Sequence, residues 1–253
     1  MKALLVSGAL ASALLLAGCG GDAGAGNSGS DSATGGASGQ TAAIPAPNGG
    51  DWTTIVSATP EGGFVMGNPN APVKLVEFAS MTCPHCASFA EEGMPALRDN
   101  YIKSGRVSLE FRNFVRDSAD MAASLLARCG GAQPFFPMTE QMFAAQEEWF
   151  GKLQAMSPAD QQRLSTLAAN QVPLAVATAA GLDQFARVRG LPAEKAQQCL
   201  TNQAEIERLA GIGSEAMKQF PNFPGTPSFL INGKMVENAA NWAALEPKLK
   251  AAL

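Results

Sequence analysis

Val73-Lys-Leu-Val-Glu-Phe-Ala-Ser-Met-Thr-Cys-Pro-His-Cys86 is the stretch on which the fold turns. Val73 to Phe78 is apolar and β-branched enough to be a central strand. Two cysteines follow, two residues apart, and the only histidine of the 253 residues lies between them. A helical stretch comes next. A strand that delivers Cys-x-x-Cys to the start of a helix makes a thiol acidic, exposed and reactive. With Cys83 at the N-cap and Pro84 at the first helical position, free backbone N–H groups and the helix dipole favour the Cys83 thiolate. A protonated His85 acts in the same direction. Cys83, at the exposed end, is the expected nucleophile, and Cys86, one turn deeper, the resolving thiol. A stabilised thiolate stabilises the reduced pair and makes its disulfide a stronger oxidant, so electrons are expected to enter from client thiols.

Working outward, Ile55 to Val65 reads as a short leading strand interrupted by the Thr59-Pro-Glu-Gly-Gly63 turn. The helix after Cys83 is expected to reach about Lys103, kinked at Gly93 and Pro95. Val107 to Phe114 alternates like a strand, completing a βαβ unit around the cysteines. From about Ser118 to Phe220 the β-branched runs disappear, and breaks at Gly130-Gly131, Ser157-Pro158, Gly181 and Gly190-Leu-Pro192 divide about five helices. Ser228 to Ile231, the Asn232-Gly233 turn and Lys234 to Val236 form a hairpin. A last amphipathic helix runs from about Asn241 to Leu253. The domain plan is thus 51–117 with 221–253, interrupted by a helical insertion at 118–220.

Ahead of it, residues 1–19 read as an export signal: Lys2, an apolar run from Ala3 to Ala17, then Leu16-Ala17-Gly18-Cys19. Small residues before a cysteine resemble a bacterial lipoprotein signal in which Cys19 is lipidated; an ordinary cleaved signal is the alternative. Either one takes the other cysteines to an oxidising compartment. Residues 20–50 are mostly Gly, Ser, Ala, Asn and Thr and read as a disordered tether with a reach of roughly 30 Å. Without Lys2 the chain keeps 17 basic against 22 acidic residues. No basic stripe interleaved with aromatics occurs, which argues against nucleic acid. The 203 residues after the tether suffice for one domain with a large insertion.

From Val73 to Leu253 the chain resembles the DsbA family of exported thiol:disulfide oxidoreductases. Cys83-Pro84-His85-Cys86 is that family's active-site tetrapeptide. Gly225-Thr226-Pro227-Ser228-Phe229, followed by Ile231-Asn232-Gly233-Lys234, is similar to its cis-proline loop and hairpin. Glu77, six residues before Cys83, matches its buried acidic residue. The resemblance implies an α/β, thioredoxin-like fold with an inserted α-helical subdomain and no cofactor. It implies a cis Thr226-Pro227 bond that offers Thr226 backbone to a client, and a Glu77 carboxyl that exchanges a proton with Cys86. A solvent-facing strand position is the other reading of Glu77. Family members with a second disulfide in the helical subdomain imply a Cys129–Cys199 bond, against two buried free thiols. The implied partners are reduced client proteins and a DsbB-like membrane reoxidant.

One departure bears on direction. Members acting mainly as oxidases often carry valine before the cis-proline; Thr226 is what the disulfide isomerases have. Those isomerases dimerise through an N-terminal domain that the low-complexity segment does not supply, so a monomeric oxidase is expected, with isomerase or reductase as its rival. A periplasmic, lipid-anchored protein follows, and Gly20 instead of aspartate after Cys19 leans towards the outer membrane. Two metal-based classes fit the sequence less well. A zinc half-site lacks a second Cys-x-x-Cys or a spare histidine, so no metal is expected. Copper handling by Cys83, His85 and Cys86 would call for a methionine cluster, and the ten methionines are scattered apart from Met81. A client-binding chaperone would use the cis-proline groove alone.

Overall fold

The structure, a computed structural model, describes residues 42–253. The expected signal and Cys19 lie outside the described residues. The domain begins earlier than residue 51, the boundary that composition suggests. The Ile44 N–H donates to the Ser104 carbonyl (2.8 Å), and the Ile44 carbonyl accepts from Trp52 Nε1 (2.7 Å). An isoleucine with both backbone groups paired is held as part of the domain, not as a solvated linker.

Six strands form one mixed sheet. They are β1 (Val56–Ala58), β2 (Phe64–Gly67), β3 (Val73–Ala79), β4 (Val107–Asn113), β5 (Ser228–Ile231) and β6 (Lys234–Met235). Their spatial order is β1-β2-β4-β3-β5-β6, with β3 and β4 parallel and every other pair antiparallel. The single leading strand expected over 55–65 is two strands joined at the Thr59–Gly63 turn, where the Thr59 N–H reaches the Gly63 carbonyl (3.0 Å). β3 is central and buried at every position except Lys74, which is why its sequence runs apolar instead of alternating.

The active-site helix α1 (Pro84–Glu92) stops at Gly93, where a Cβ would stand 2.9 Å from the Phe89 ring. A short α2 (Met94–Leu97) and a wide turn at Arg98–Ile102 then lead into β4. The expected kink is therefore a break. Phe89 fixes α1 on the sheet: its ring packs 4.7 Å from Phe229 of β5 and 6.3 Å from Trp242. Trp242 opens the last helix of the chain, Trp242–Ala251, capped by Asn241.

Between β4 and β5 lie eight helices instead of five. They are α3 (Ser118–Cys129), α4 (Ala132–Ala144), α5 (Gln146–Gln154), α6 (Pro158–Ser165), α7 (Val172–Ala180), α8 (Leu182–Arg187), α9 (Ala193–Leu200) and α10 (Gln203–Gln219). The break expected at Gly181 is there, in the left-handed region at φ +73° between α7 and α8, but unmarked breaks add helices: only Ala145 separates α4 from α5, and only Thr201 and Asn202 separate α9 from α10. Continuous apolar patterning across such junctions makes two helices read as one. The β5–β6 turn uses Asn232 (φ +50°) and Gly233 (φ +80°), the pair of positive angles a two-residue I′ hairpin needs.

Candidate active site

The parallel pairing of β3 and β4 brings Ala79 beside Asn113 at the carboxyl end of the sheet. The segments that continue from those ends, 80–86 and 114–120, share that edge. Cys83 is the N-cap of α1, with Pro84 in its first turn, and its carbonyl accepts from the N–H groups of Cys86 and Ala87 (both 3.1 Å). Opposite stands the loop before β5, where the Thr226–Pro227 bond is cis. The Cys83 Sγ donates to the Thr226 carbonyl at 3.2 Å. Cys83, expected to be exposed, is only 2% exposed, and Cys86 is wholly buried. The Thr226–Pro227 loop lies against the sulfur, with the Thr226 carbonyl in contact with it. Both thiols are free in this structure.

The two sulfurs are driven apart in acidity. Cys83 is lowered to about 5, first by the Cys86 thiol that donates to it. Desolvation works against this, and the Thr226 side chain, the Cys86 N–H and the Arg116 charge add to it. The Thr226 hydroxyl is buried with no partner in the dithiol form, which leaves it free to turn to a thiolate. Cys86 is pushed far up by burial, then by the Cys83 sulfur and the Glu77 charge. Glu77 is 2% exposed, between Phe111 of β4 and Phe229 of β5, so it does not face solvent. Burial first, and then the Cys83 charge, raises it to about 8, so it is protonated at neutral pH. Cys83, Cys86, Glu77, Thr226 and Pro227 thus converge on one place. Pro84 and His85 are exposed on the first turn of α1.

A second layer goes beyond the residues that the sequence singles out. The turn Ser80–Thr82, just ahead of Cys83, is gripped by side chains that belong to the insertion or lead into it. Asp120, at the start of α3 and fully buried, accepts the Met81 N–H (2.8 Å) and the Arg116 N–H (3.0 Å). Burial raises its carboxyl to about 6 against those hydrogen bonds. Asp117, the N-cap of α3, accepts from the Thr82 hydroxyl (2.9 Å). Gln146 donates to the carbonyls of Met81 (2.8 Å) and Cys83 (3.1 Å). Arg116 donates through Nε to Ser80 Oγ (2.8 Å) and through Nη2 to Thr82 Oγ1 (3.1 Å). A signal for part of this was present: polar residues just beyond the second of two parallel strands fall beside those just beyond the first.

Cys129 and Cys199, at the ends of α3 and α9, lie away from this site and form a disulfide (S–S 2.01 Å). It sits beside the Arg128–Glu205 ion pair (2.7 Å).

A free cysteine pair at a helix N-terminus, beside a cis-proline and at the carboxyl end of a mixed sheet, defines a thioredoxin-like dithiol protein. Known proteins agree. The thioredoxin family profile matches residues 59–251. A solved protein-disulfide isomerase of Novosphingobium aromaticivorans superposes with a TM-score of 0.71 at 35% identity, covering 74% of this chain and 95% of that one. A Rickettsia prowazekii protein named as a protein-disulfide oxidoreductase is 28% identical over 187 residues, 74% of this chain and 60% of its own length. The chain therefore spans about 60% of that curated relative. Wolbachia pipientis alpha-DsbA1 shares the fold, with a TM-score of 0.59 at 19% identity over 83% of this chain and 92% of that one. The chain belongs to the thioredoxin family and has the DsbA architecture, the thioredoxin sheet with a helical insertion.

Proposed function

We propose that this protein is an exported thiol:disulfide oxidoreductase that donates the Cys83–Cys86 disulfide to reduced client proteins. The observation that carries the reading is the opposed displacement of the two thiols, Cys83 down and Cys86 up. A client thiolate attacks Cys83 Sγ of the oxidised pair, the Cys83–Cys86 bond breaks, and Cys86 leaves with the electron pair. Buried Cys86 must then take a proton, and Glu77, protonated at neutral pH, stands ready to give it. The client's second thiolate attacks its own sulfur in the mixed disulfide and releases Cys83 as the stabilised thiolate, the better leaving group. The client carries the new disulfide, and the enzyme keeps the two electrons as a dithiol. Thr226 and Pro227 form the rim on which the client backbone rests.

Export, lipid attachment at Cys19, a monomeric state and reoxidation by a DsbB-like membrane partner complete the proposal. They rest on the leader sequence and on the family resemblance. The experiment is the reduction potential of Cys83–Cys86 together with oxidative refolding of a reduced client. A potential well above thioredoxin's, roughly −270 mV, with client oxidation is expected; one at or below it overturns the donor reading and favours a reductase. Labelling with palmitate that is lost in Cys19→Ala tests the anchor. Isomerase activity is the second reading. Thr226 before the cis-proline favours it, as does the 35% identity to a protein-disulfide isomerase, and rearrangement of a scrambled disulfide substrate would show it.

A further inference from the structure

We propose that Arg116 is a positioning residue for Cys83, which holds the turn ahead of the nucleophile and supplies the fixed positive charge beside it. The inference rests on the disulfide-exchange reading above and adds one residue that steadies and tunes its nucleophile.

The geometry begins with how Arg116 is held. Its backbone N–H is bound by buried Asp120, the same carboxylate that takes the Met81 N–H. Its guanidinium then reaches back across the sheet edge to two hydroxyls, Ser80 Oγ at 2.8 Å and Thr82 Oγ1 at 3.1 Å. Ser80 accepts the Cys83 N–H through its carbonyl (3.1 Å), and Thr82 is the residue before Cys83. One end of Arg116 is therefore fixed to the insertion, and the other to both residues that set the entry angle of Cys83. An arginine that donates to two oxygens at once is held in orientation as well as in place. Its charge also lies among those that favour the Cys83 thiolate.

Other charged groups surround the same sulfur. Glu77 lies beneath on β3 and is neutral at pH 7. His85 is exposed on α1. Asp117 meets the same Thr82 hydroxyl as Arg116, but its other oxygen takes the Asp120 N–H at the N-terminus of α3 (2.8 Å), where the helix dipole offsets its charge. Asp120 is buried behind the turn. Arg116 is the cation bonded to the turn itself.

The test is titration of the Cys83 thiolate by its ultraviolet absorbance, with the reduction potential, in Arg116→Gln, Arg116→Lys and His85→Gln. Arg116→Gln is expected to raise the Cys83 midpoint by roughly half a pH unit, because Arg116 is itself exposed and screened, and to lower the potential by about 15 mV, the equivalent of that roughly threefold change. Arg116→Lys is expected to recover most of both. Raised salt should shrink the gap between wild type and Arg116→Gln. Two results overturn the inference: an Arg116→Gln midpoint equal to wild type, or a midpoint that Arg116→Lys and salt both leave displaced along with a lower Tm. A shift seen in His85→Gln alone is the first of these. Both quantities belong to the cysteine pair itself, so a low wild-type potential would sink the donor reading while leaving the Arg116 difference measurable.

Discussion

Two cysteine pairs in this protein are built on opposite plans. Cys83 and Cys86 are three positions apart in the first turn of a helix, buried, free, and surrounded by groups that separate their acidities. Cys129 and Cys199 are 70 residues apart, joined, and sit at the ends of two helices with no part in that constellation. The first pair closes so small a loop that little chain entropy is at stake, so its surroundings decide whether it is oxidised. The second closes a long loop, and its effect falls on the unfolded chain. Local electrostatics makes a disulfide exchangeable; long-range closure makes one structural.

The sharpest way to break this division is to exchange the consequences. Cys83→Ser is expected to drop client oxidation to the uncatalysed background while leaving the melting temperature near wild type. The double variant Cys129→Ala/Cys199→Ala should do the reverse. Its exchange activity should stay close to wild type at a temperature where it is folded, and its stability should fall by up to about 4 kcal/mol, the loop-closure value for such a span. Denaturant unfolding in parallel with a refolding assay measures both. A double variant that keeps its stability but loses exchange would make the second pair part of the redox machinery.

Glu77 tests the first pair from below. Its folded pKa of about 8 lies above its unfolded value, so the folded state binds the extra proton between roughly pH 4.5 and 8 and loses stability as pH rises through that window. Glu77→Gln removes the titration. It should stabilise the fold by on the order of 2 kcal/mol at pH 7, with less gain near pH 4.5, and should slow exchange by removing the proton source for Cys86. Stability measured at both pH values checks the sign. A variant equally stabilised at the two would show that burial does not raise this carboxyl.

How much of this was legible in the sequence follows the same local and long-range division. The strand before Cys83, the helix that Pro84 opens and the Asn232-Gly233 turn are dictated by residues within a few positions of each other, and their signals are strong. Thr226 and Pro227 are far from Cys83 in sequence, and only their resemblance to a known loop put them beside it. Arg116, Asp117, Asp120 and Gln146 carried no such label. Each bonds the 80–83 segment from 34 or more positions away, and a polar residue near a helix start reads first as a cap. Asp117 is in part a cap, which hid its second role. The division between α4 and α5 was missed for a local reason, since its single residue, Ala145, leaves the apolar period almost unbroken.

The pH dependence of the first pair follows from its separated acidities. Below about pH 5 both thiols of the reduced pair are protonated; above it only Cys86 is. Reduction therefore takes up two protons in acid and one near neutrality. The potential should fall by about 60 mV per pH unit below the Cys83 midpoint and about 30 mV per unit above it. A break near pH 5 in equilibrium with a glutathione buffer is the expected outcome, and a steep slope persisting to pH 7 would mean that Cys83 is an ordinary thiol.

The smallest effect discriminates most finely. Asp117 and Arg116 touch the same Thr82 hydroxyl with opposite charge. Asparagine caps a helix about as well as aspartate, so Asp117→Asn removes the negative charge while keeping the cap of α3. If charge governs Cys83, its midpoint should drop by a few tenths of a pH unit, the size expected for an exposed and screened neighbour, opposite in sign to Arg116→Gln. If instead both residues act only by holding the Ser80–Thr82 turn, each substitution loosens the same turn and both midpoints move the same way. The relative sign of the two shifts, more than the size of either, separates a site tuned by charge from one tuned by shape.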